Sequence, residues 1–513
     1  MLVIYLTSDE ISEEAMLVNL MSSHHYVAFD LGAESCRVIL GTLSGERLTI
    51  EEIHRFPNGA VNVFGALRWD MLRIFDELKQ GLRKVAARGC RIEGLSTDSW
   101  GLDYVLLTGQ EPFLAAPYCY RDSRTDGRVE KALQIVPANV IYSETGTQFL
   151  QVNALYQLLD DLERRPKILD LADQLLGVGD FFNYLFSGVA CAEESLASTT
   201  QLYNPTERKW SEKLITTFHL PARIFPKLVS PGTKLGPLLP SLISDVGLHA
   251  EPQVVASCSH DTAAAVAAVP AEGRDWCFNS SGTWSLVGIE ADEPIIGTNS
   301  REHNFTNEVG YGKTIRFLKN VMGLWIVQEC RRQWAREGKE YTYDQLTKMA
   351  KEARPLRSLI DPQDARFLKP NDMPNKVAAY CRERNQTTPK SPGETIRCAL
   401  ESLALSYSDV LQEIYDVTGR RAECLHIVGG GSRNELLNQF SANATHMPVL
   451  AGPSEATAIG NILVQAIALN HLASINDARR IVRNSFPVAK FVCKQESTWQ
   501  KAHTLFQNLT HTK

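Results

Sequence analysis

The strand-like run at residues 26–30 ends on an acid, Asp30, and small and polar residues follow at 31–35. An Asp at a strand end before such a turn can hold a hydrated Mg²⁺, while the backbone N–H groups of the turn face phosphate oxygens. The same residues also suit an ordinary hairpin turn in which the Asp bonds its own backbone. The segment therefore predicts either a cation and phosphate site or a plain turn.

Two further strand ends are rich in glycine and hydroxyl groups. Residues 280–283 read Ser-Ser-Gly-Thr, and residues 429–431 are three glycines before a helix that begins near Asn434. Such a glycine loop lets a nucleotide approach the backbone and the N-terminus of the helix. The glycines match neither Gly-x-Gly-x-x-Gly nor Gly-x-x-x-x-Gly-Lys, and a tight packing turn explains them equally well.

Asp261 lies between His260 and Thr262, after a predicted strand at 253–257 and before an alanine-rich predicted helix at 263–268. An Asp at the mouth of a cleft can act as a general base and take the proton of an attacking hydroxyl group. Asp is also a favoured N-cap for a helix that follows. The two roles do not exclude each other.

Residues 98–103, Asp-Ser-Trp-Gly-Leu-Asp, end another predicted strand. Carboxylates that hold hydroxyl groups and an indole that covers an apolar face are common in sugar sites. A core tryptophan with capping acids would show the same residues.

The strands that position these segments are predicted in two similar sets. The first half has strands at 26–30, 37–43 and 48–56, a helix capped by Asp70 that ends near Gly89, and a strand at 92–97. The apolar stripe of this helix is predicted at Leu72, Phe75, Leu78, Leu82 and Val85. Three antiparallel strands, a helix and a strand are typical of the start of a ribonuclease-H-like lobe.

The second half repeats this order after a loop-rich connection at 221–240. Strands are predicted at 276–280 and 285–290, and a long helix from the cap Ser391 to Gly419 precedes a strand at 425–428. We therefore predict an α/β fold of two ribonuclease-H-like (actin-like ATPase) lobes with an interlobe active-site cleft.

Composition excludes several classes of protein. The net charge of −6 provides no positive field for nucleic acid or anionic membranes, and no apolar run reaches the roughly 18 residues of a membrane span. Eleven scattered cysteines without a Cys-x-x-Cys pair favour neither a disulfide framework nor a zinc ribbon, and they suit a reducing cytoplasm. No obligate protein partner is indicated. We expect residues 1–22 to be a disordered or dispensable extension, with Met21 as the functional start.

In this order, the motifs resemble those of the FGGY carbohydrate kinases over about residues 26–492. The matching segments are Asp-Leu-Gly-Ala at 30–33, Thr-Asp-Ser-Trp-Gly-Leu-Asp at 97–103, Tyr-Arg-Asp-Ser-Arg at 120–124, Ser-His-Asp-Thr at 259–262, Ser-Ser-Gly-Thr-Trp-Ser at 280–285, Leu-Lys-Asn-Val-Met-Gly-Leu-Trp at 318–325 and His-Ile-Val-Gly-Gly-Gly at 426–431. The fourth and sixth resemble the branch of the family that phosphorylates L-rhamnulose, whereas the glycine loops mark only the superfamily.

The resemblance implies that the chain converts ATP and L-rhamnulose to ADP and L-rhamnulose 1-phosphate in L-rhamnose catabolism. It makes Asp261 the general base, and it implies that Asp30 orients Mg²⁺, through water. The implied sugar-binding residues are Gly101, His260, Asp261, Thr262 and Asn320. The implied ATP-binding residues are Ala33, Glu34, Ser35, Cys36, Arg37, Thr283, Gln328 and Gly430.

One residue departs from the pattern, because Cys36 replaces a glycine that the family commonly has in its first phosphate turn. If that position needs a positive φ, a Cys there costs about 1 kcal/mol or more. We therefore expect weaker ATP binding or an activity that is sensitive to thiol reagents.

The resemblance divides the chain into an N-terminal lobe at 23–270 with the sugar site and the base, a C-terminal lobe at 271–492 with the ATP site, and a tail at 493–513. Two alternatives stay open at this point. One is a kinase of another ketose, such as L-fuculose or L-xylulose. The other is a non-catalytic, actin-like sugar or nucleotide sensor.

Overall fold

A computed structural model describes residues 23–109 and 115–510, so the extension predicted at 1–22 lies outside the described residues. Two large sheets form the centre of the fold. The first contains β1 (Ser23–Leu31), β2 (Ser35–Ser44), β3 (Arg47–Pro57), β4 (Ile92–Ser99), β5 (Thr233–Pro237) and β6 (Gln253–Ala256). The second contains β7 (Trp276–Ser281), β8 (Trp284–Ala291), β9 (Thr306–Val309), β10 (Ile315–Met322), β11 (Cys424–Val428), β12 (Val449–Ala451) and β13 (Ala489–Phe491).

The two sheets share the arrangement of five strands, although the first has six strands and the second has seven. The first has the order β5-β6-β4-β1-β2-β3 and the second β9-β10-β8-β7-β11-β12-β13. In the first sheet, β1 pairs antiparallel with β2 and parallel with β4. In the second sheet, β7 pairs in the same way with β8 and β11. The internal repeat predicted from the sequence is therefore confirmed, and so is the two-lobed α/β fold.

Short two-stranded ribbons and helices surround the sheets. The ribbons pair Val61–Val63 with Ala66–Arg68, Tyr104–Leu107 with Gln174–Gly177, Ala192–Glu193 with Leu228–Val229, and Tyr203–Asn204 with Lys209–Trp210. Helices of the first half are α1 (Met71–Ala86), α2 (Arg128–Ile135), α3 (Ala138–Thr145), α4 (Ala154–Arg164), α5 (Pro166–Leu171), α6 (Val178–Ser187), α7 (Glu194–Ala197), α8 (Glu212–Thr217), α9 (Pro240–Val246) and α10 (Asp261–Ala267).

The second half adds nine α-helices over residues 298–510. They are α11 (Thr298–Glu302), α12 (Trp325–Arg336), α13 (Tyr343–Glu352), α14 (Met373–Glu383), α15 (Pro392–Thr418), α16 (Glu435–Thr445), α17 (Ala456–Ala468), α18 (Ile475–Ser485) and α19 (Glu496–Thr510). Across the part of the chain that the structure describes, none of the helices combines the length and apolar character required to cross a membrane.

The helix ends follow the capping residues of the sequence. Asp70 accepts a hydrogen bond from Arg73 N at 3.1 Å at the start of α1. At the start of α15, Ser391 accepts one from Glu394 N at 3.3 Å, and Gly419 ends this helix with φ +67°. The predicted core position Leu72 is wrong, since this side chain is 60% exposed. The buried stripe of α1 begins one residue earlier, at Met71, and continues on the same face.

The segment predicted as a tail at 493–513 contains α19. Its residues Trp499, Ala502 and Phe506 are buried in the hydrophobic core of the second lobe. The helix is amphipathic, and its apolar side covers α15 and α16. This part of the chain therefore contributes to the second lobe's core.

Helix α17 joins the two halves of the chain. It follows β12 of the second sheet, yet it also packs on β1 and β4 of the first sheet and on α10. Its Gln465 donates to Val27 O at 3.0 Å, and its Asn461 donates to Asp98 Oδ2 at 2.5 Å. Polar side chains of one half therefore hydrogen-bond to strands of the other.

Candidate active site

A cavity of about 250 Å³ lies between the two lobes, and both contribute to its wall. The turn after β1, the end of β4 and the start of α10 come from the first lobe. The β7–β8 turn, β10 and the loop after β11 come from the second. Eight of the predicted site residues meet here: Ala33, Gly101, His260, Asp261, Thr262, Thr283, Asn320 and Gly430.

Asp261 is the first residue of α10, and His260 is the N-cap residue. The predicted capping role of Asp261 is therefore wrong, and its carboxylate accepts from Thr262 Oγ1 at 3.0 Å. The backbone before it is held in place because Ser259 N donates to Glu193 Oε2 at 2.7 Å and His260 N to Ser195 Oγ at 3.2 Å. The Asp261 side chain keeps 34% of its surface exposed, and burial raises the pKa of its carboxyl group. A raised pKa makes a carboxylate a stronger base.

The sequence left two roles open for the three glycines after β11, a packing turn and a loop open to a nucleotide, and different glycines fit each role. A Cβ at Gly431 would lie 2.0 Å from Ser281 Oγ, and one at Gly429 would lie 3.0 Å from Ser281 O. These two glycines pack against the β7–β8 turn. Gly430 has no neighbour within 4 Å of the same position and lines the cavity. The loop is thus a packing turn that leaves one glycine backbone open to a ligand.

Two acids at the ends of adjacent strands each precede a cavity-lining residue by two positions, Asp30 before Gly32 and Asp98 before Trp100. Asp30 of β1 and Asp98 of β4 are in register, and both are buried. Asp98 Oδ1 has no hydrogen-bond partner, and burial together with the charge of Asp30 raises the pKa of Asp98 well above its usual range. An unpartnered buried oxygen next to a second carboxylate fits a hard divalent cation, since Mg²⁺ binds through one or two carboxylates and water.

The other predicted ATP-binding residues lie outside the cavity wall, and most of them are paired. Glu34 pairs with Arg332 of α12, and Ser35 accepts from Arg55 at 3.3 Å. Arg37 is bound by both Asp30 and Glu455. Gln328 has a buried Oε1 without a hydrogen-bond partner. Their contact with a nucleotide stays a prediction.

Cys36 corrects one expectation directly. It lies in β2, paired with Leu31 of β1, and it is absent from the residues with positive φ. The side chain is fully buried in the core of the first lobe, and burial raises the pKa of the thiol far above its usual range. The position therefore requires no glycine, and the thiol is neither strained nor reactive.

We expect Cys36→Ala to leave the KM for Mg·ATP within threefold of wild type, because the side chain points into the core. The lost buried sulfur should lower the free energy of unfolding by about 1 kcal/mol. ATP kinetics and urea denaturation measure the two effects. A tenfold rise in the KM for ATP would show that Cys36 shapes the nucleotide turn.

Trp100 lines the cavity, and Asp103 accepts a hydrogen bond from its indole on the side away from the cavity. Asp103 Oδ2 accepts from Trp100 Nε1 at 2.9 Å, from Trp69 Nε1 at 2.6 Å and from Tyr120 N at 3.2 Å. Both interpretations of residues 98–103 are thus partly right. Trp100 lines the cavity, whereas Asp103 is a buried acid that holds the two tryptophan side chains in place. Burial raises the pKa of Asp103 to about 6.

We expect tryptophan fluorescence to change with a midpoint near pH 6, because protonation of Asp103 removes the negative charge next to both indoles. The pKa is about 6 in the folded chain and about 3.9 in the unfolded chain. This carboxyl group therefore stabilises the fold below pH 4, and its contribution is lost as the pH rises through 6. Asp103→Asn should abolish the midpoint; an unchanged transition in that variant would assign it to another group.

The sequence missed three polar residues of the site. Gln148 bridges the lobes, because its Oε1 accepts from Asn320 N at 2.9 Å and from Asn320 Nδ2 at 3.1 Å. Glu308 lines the cavity next to Asn320, and Arg316 lies behind it. The only signal for the last two was an acid and a base placed inside strand-like runs.

Two family models match the chain. Residues 25–268 match the FGGY family of carbohydrate kinases, N-terminal domain, and residues 277–469 match the C-terminal domain of the same family. A rhamnulokinase from Bacteroides thetaiotaomicron is 40% identical over 485 residues, which cover 94% of this chain and 99% of the relative. A rhamnulokinase from Enterococcus faecalis is 41% identical over 465 residues, with 90% and 93% covered.

Solved structures of more distant proteins share the fold. A ligand-bound xylulose kinase from Lactobacillus acidophilus superposes with a TM-score of 0.78 at 15% identity, covering 95% of this chain and 99% of that one. A glycerol kinase from Plasmodium falciparum with ADP gives 0.74 at 15% identity, covering 95% and 97%. At this identity the likeness shows the two-lobed architecture alone.

Proposed function

This chain belongs to the FGGY family of carbohydrate kinases, and we propose that it transfers the γ-phosphoryl group of Mg·ATP to the C1 hydroxyl group of L-rhamnulose. The products are ADP and L-rhamnulose 1-phosphate, an intermediate of L-rhamnose catabolism. Relatives of about 40% identity over nearly the whole chain are named rhamnulokinases, which favours this ketose over L-fuculose or L-xylulose. ATP and eleven free thiols also suit the cytoplasm, which we propose as its location.

The observation that carries the proposal is the position of Asp261. Its carboxylate opens into the interlobe cavity between the predicted sugar-binding residues Gly101 and Asn320 and the loops at Thr283 and Gly430. A base at the boundary between a sugar subsite and a phosphate subsite is what in-line phosphoryl transfer needs.

In the proposed mechanism, Asp261 takes the proton of the C1 hydroxyl group as that oxygen attacks phosphorus. Gly101, His260, Thr262 and Asn320 hold the sugar, and closure of the two lobes excludes water from the cavity. Asp30 and Asp98 would hold Mg²⁺, which neutralises charge on the phosphate groups when bound. The open backbone at Gly430 leaves room for the nucleotide.

The test is ADP release with Mg·ATP and a panel of L-rhamnulose, L-fuculose, L-xylulose, D-xylulose and glycerol. We expect release that depends on L-rhamnulose and stops when EDTA removes the metal. Preference for another ketose would keep the kinase and change its substrate. ATP binding without sugar-dependent release would favour the non-catalytic sensor.

A further inference from the structure

A buried ion pair of the second lobe lies against the base of the first. Glu308 of β9 and Arg316 of β10 are directly opposite in the antiparallel register. Arg316 Nη1 lies 3.0 Å from Glu308 Oε2, and the side-chain exposures are 0% and 5%. Glu308 Oε2 is also 3.4 Å from His260 Nδ1, so the pair reaches across the interlobe boundary to the residue before Asp261.

Stability alone does not account for this pair. Removing two charges from water costs several kcal/mol for each ion, and well-packed apolar residues would hold two strands equally well or better. Glu308 forms part of the cavity wall, beside Asn320. A buried carboxylate at that place indicates a polar ligand.

The surroundings keep Glu308 ionised. Burial by itself would raise the pKa of Glu308, but the positive charge of Arg316 outweighs it and holds the pKa below its usual range. Ser198, the C-cap residue of helix α7, contributes an uncharged hydroxyl group next to Glu308, and this hydroxyl accepts from Val309 N at 2.9 Å. An ionised carboxylate can only accept hydrogen bonds, which suits a sugar hydroxyl.

Arg316 also sets the protonation of His260. Its Nη2 lies 3.2 Å from His260 Nδ1, and a guanidinium can only donate. Nδ1 is therefore the acceptor, and the ring proton sits on Nε2. Nε2 lies 3.4 Å from Asp261 Oδ1 and would be 3.3 Å from a Cβ at Gly101. The N–H of His260 is thus directed at the base and the sugar subsite.

Building on the proposed function, we propose that Glu308 is a further sugar-binding residue that accepts a hydrogen bond from a hydroxyl group of the ketose. Arg316 is the positioning residue that orients Glu308 and gives His260 its Nε2–H tautomer. A site built to bond a hydroxyl group discriminates strongly against an analogue without it, because its buried polar group is then unpaired. Glu308 therefore contributes to the selection of the sugar.

Glu308→Gln tests the first part, with Glu401→Gln as the matched control. Glu401 is an equally buried acid, paired with Arg397 inside α15 and remote from the cavity. We expect Glu308→Gln to lower kcat/KM for L-rhamnulose about 100-fold and to leave the KM for ATP within twofold. A sugar kcat/KM within threefold of wild type, or an equal loss for ATP, would overturn the assignment.

Single-deoxy analogues of L-rhamnulose identify the bonded hydroxyl group. One analogue should lose about 100-fold in wild type but no more than about threefold further in Glu308→Gln, because both changes remove the same hydrogen bond. Fully additive losses for every analogue would overturn the contact. If wild type itself releases no ADP with L-rhamnulose, the proposed function fails instead.

The pH profile tests Arg316. Asp261 gives wild type an acid limb of its own, because the base must be ionised. Without the charge of Arg316, burial should protonate Glu308, so Arg316→Met should move the fall of the sugar kcat/KM to higher pH than in wild type. The double variant Glu308→Gln with Arg316→Met should fold, since no buried charge is left unpaired, and its acid limb should return to the wild-type position. An acid limb that stays displaced in the double variant, or wild-type kinetics in it, would overturn the role.

Discussion

Asp261→Asn is expected to lower kcat by about 10²–10⁴-fold, which is the contribution of general-base catalysis. The amide has the size of the carboxylate but cannot take the proton of the C1 hydroxyl group. Because His260 and not Asp261 caps α10, the variant loses no cap and should lose only about 0.5 kcal/mol of stability through the helix dipole. Steady-state ADP release and urea denaturation measure the two quantities.

Asp344→Asn is the matched control, since Asp344 is an exposed acid in the first turn of α13. It should show the same small change in stability and unchanged turnover. If Asp261→Asn keeps a kcat near that of wild type, another group is the base. If it unfolds instead, the side chain supports the fold in a way that its contacts do not indicate.

The elements of the fold were predictable where local sequence determines them. The strands at 26–30, 37–43 and 48–56 fall within β1, β2 and β3, because alternating apolar residues and glycine turns specify a hairpin locally. Both ends of α15 follow from Ser391 and Gly419 for the same reason. The burial of Leu72 was predicted wrongly because Met71 and Leu72 are both apolar, and a stripe with helical spacing can begin at either of them.

The site was predictable only as far as its residues lie in such local motifs. The Asp261 and Gly430 segments each end a strand, so their convergence follows from the topology. Gln148, Glu308 and Arg316 act across the lobe boundary, and pairing over long separations leaves no pattern in the sequence. The backbone conformation of Cys36 depends on β2 extending to Ser35, one or two residues beyond what propensity can specify.

The contact between α10 and α17 connects the core of the fold to the base. A Cβ at Gly460 of α17 would lie 1.8 Å from Ala264 O of α10, which is backbone and cannot rotate away. The two helices therefore cross at a distance that only glycine permits. Ala264 is three residues after Asp261, so any shift of α10 also moves the carboxylate.

Gly460→Ala is therefore expected to destabilise the protein and to impair catalysis together. Over-packing costs up to about 3 kcal/mol, and the better helix propensity of alanine returns about 1 kcal/mol, which leaves a net loss of about 2 kcal/mol. A displacement of the base by about 1 Å lowers turnover by up to about 10²-fold.

Gly297→Ala is the control, because Gly297 has no neighbour within 4 Å of its Cβ position. Urea midpoints and kcat at saturating substrates should fall in Gly460→Ala alone. A variant that stays as stable as wild type would show that α10 and α17 can separate freely, and normal turnover despite lost stability would show that the position of Asp261 does not depend on this crossing.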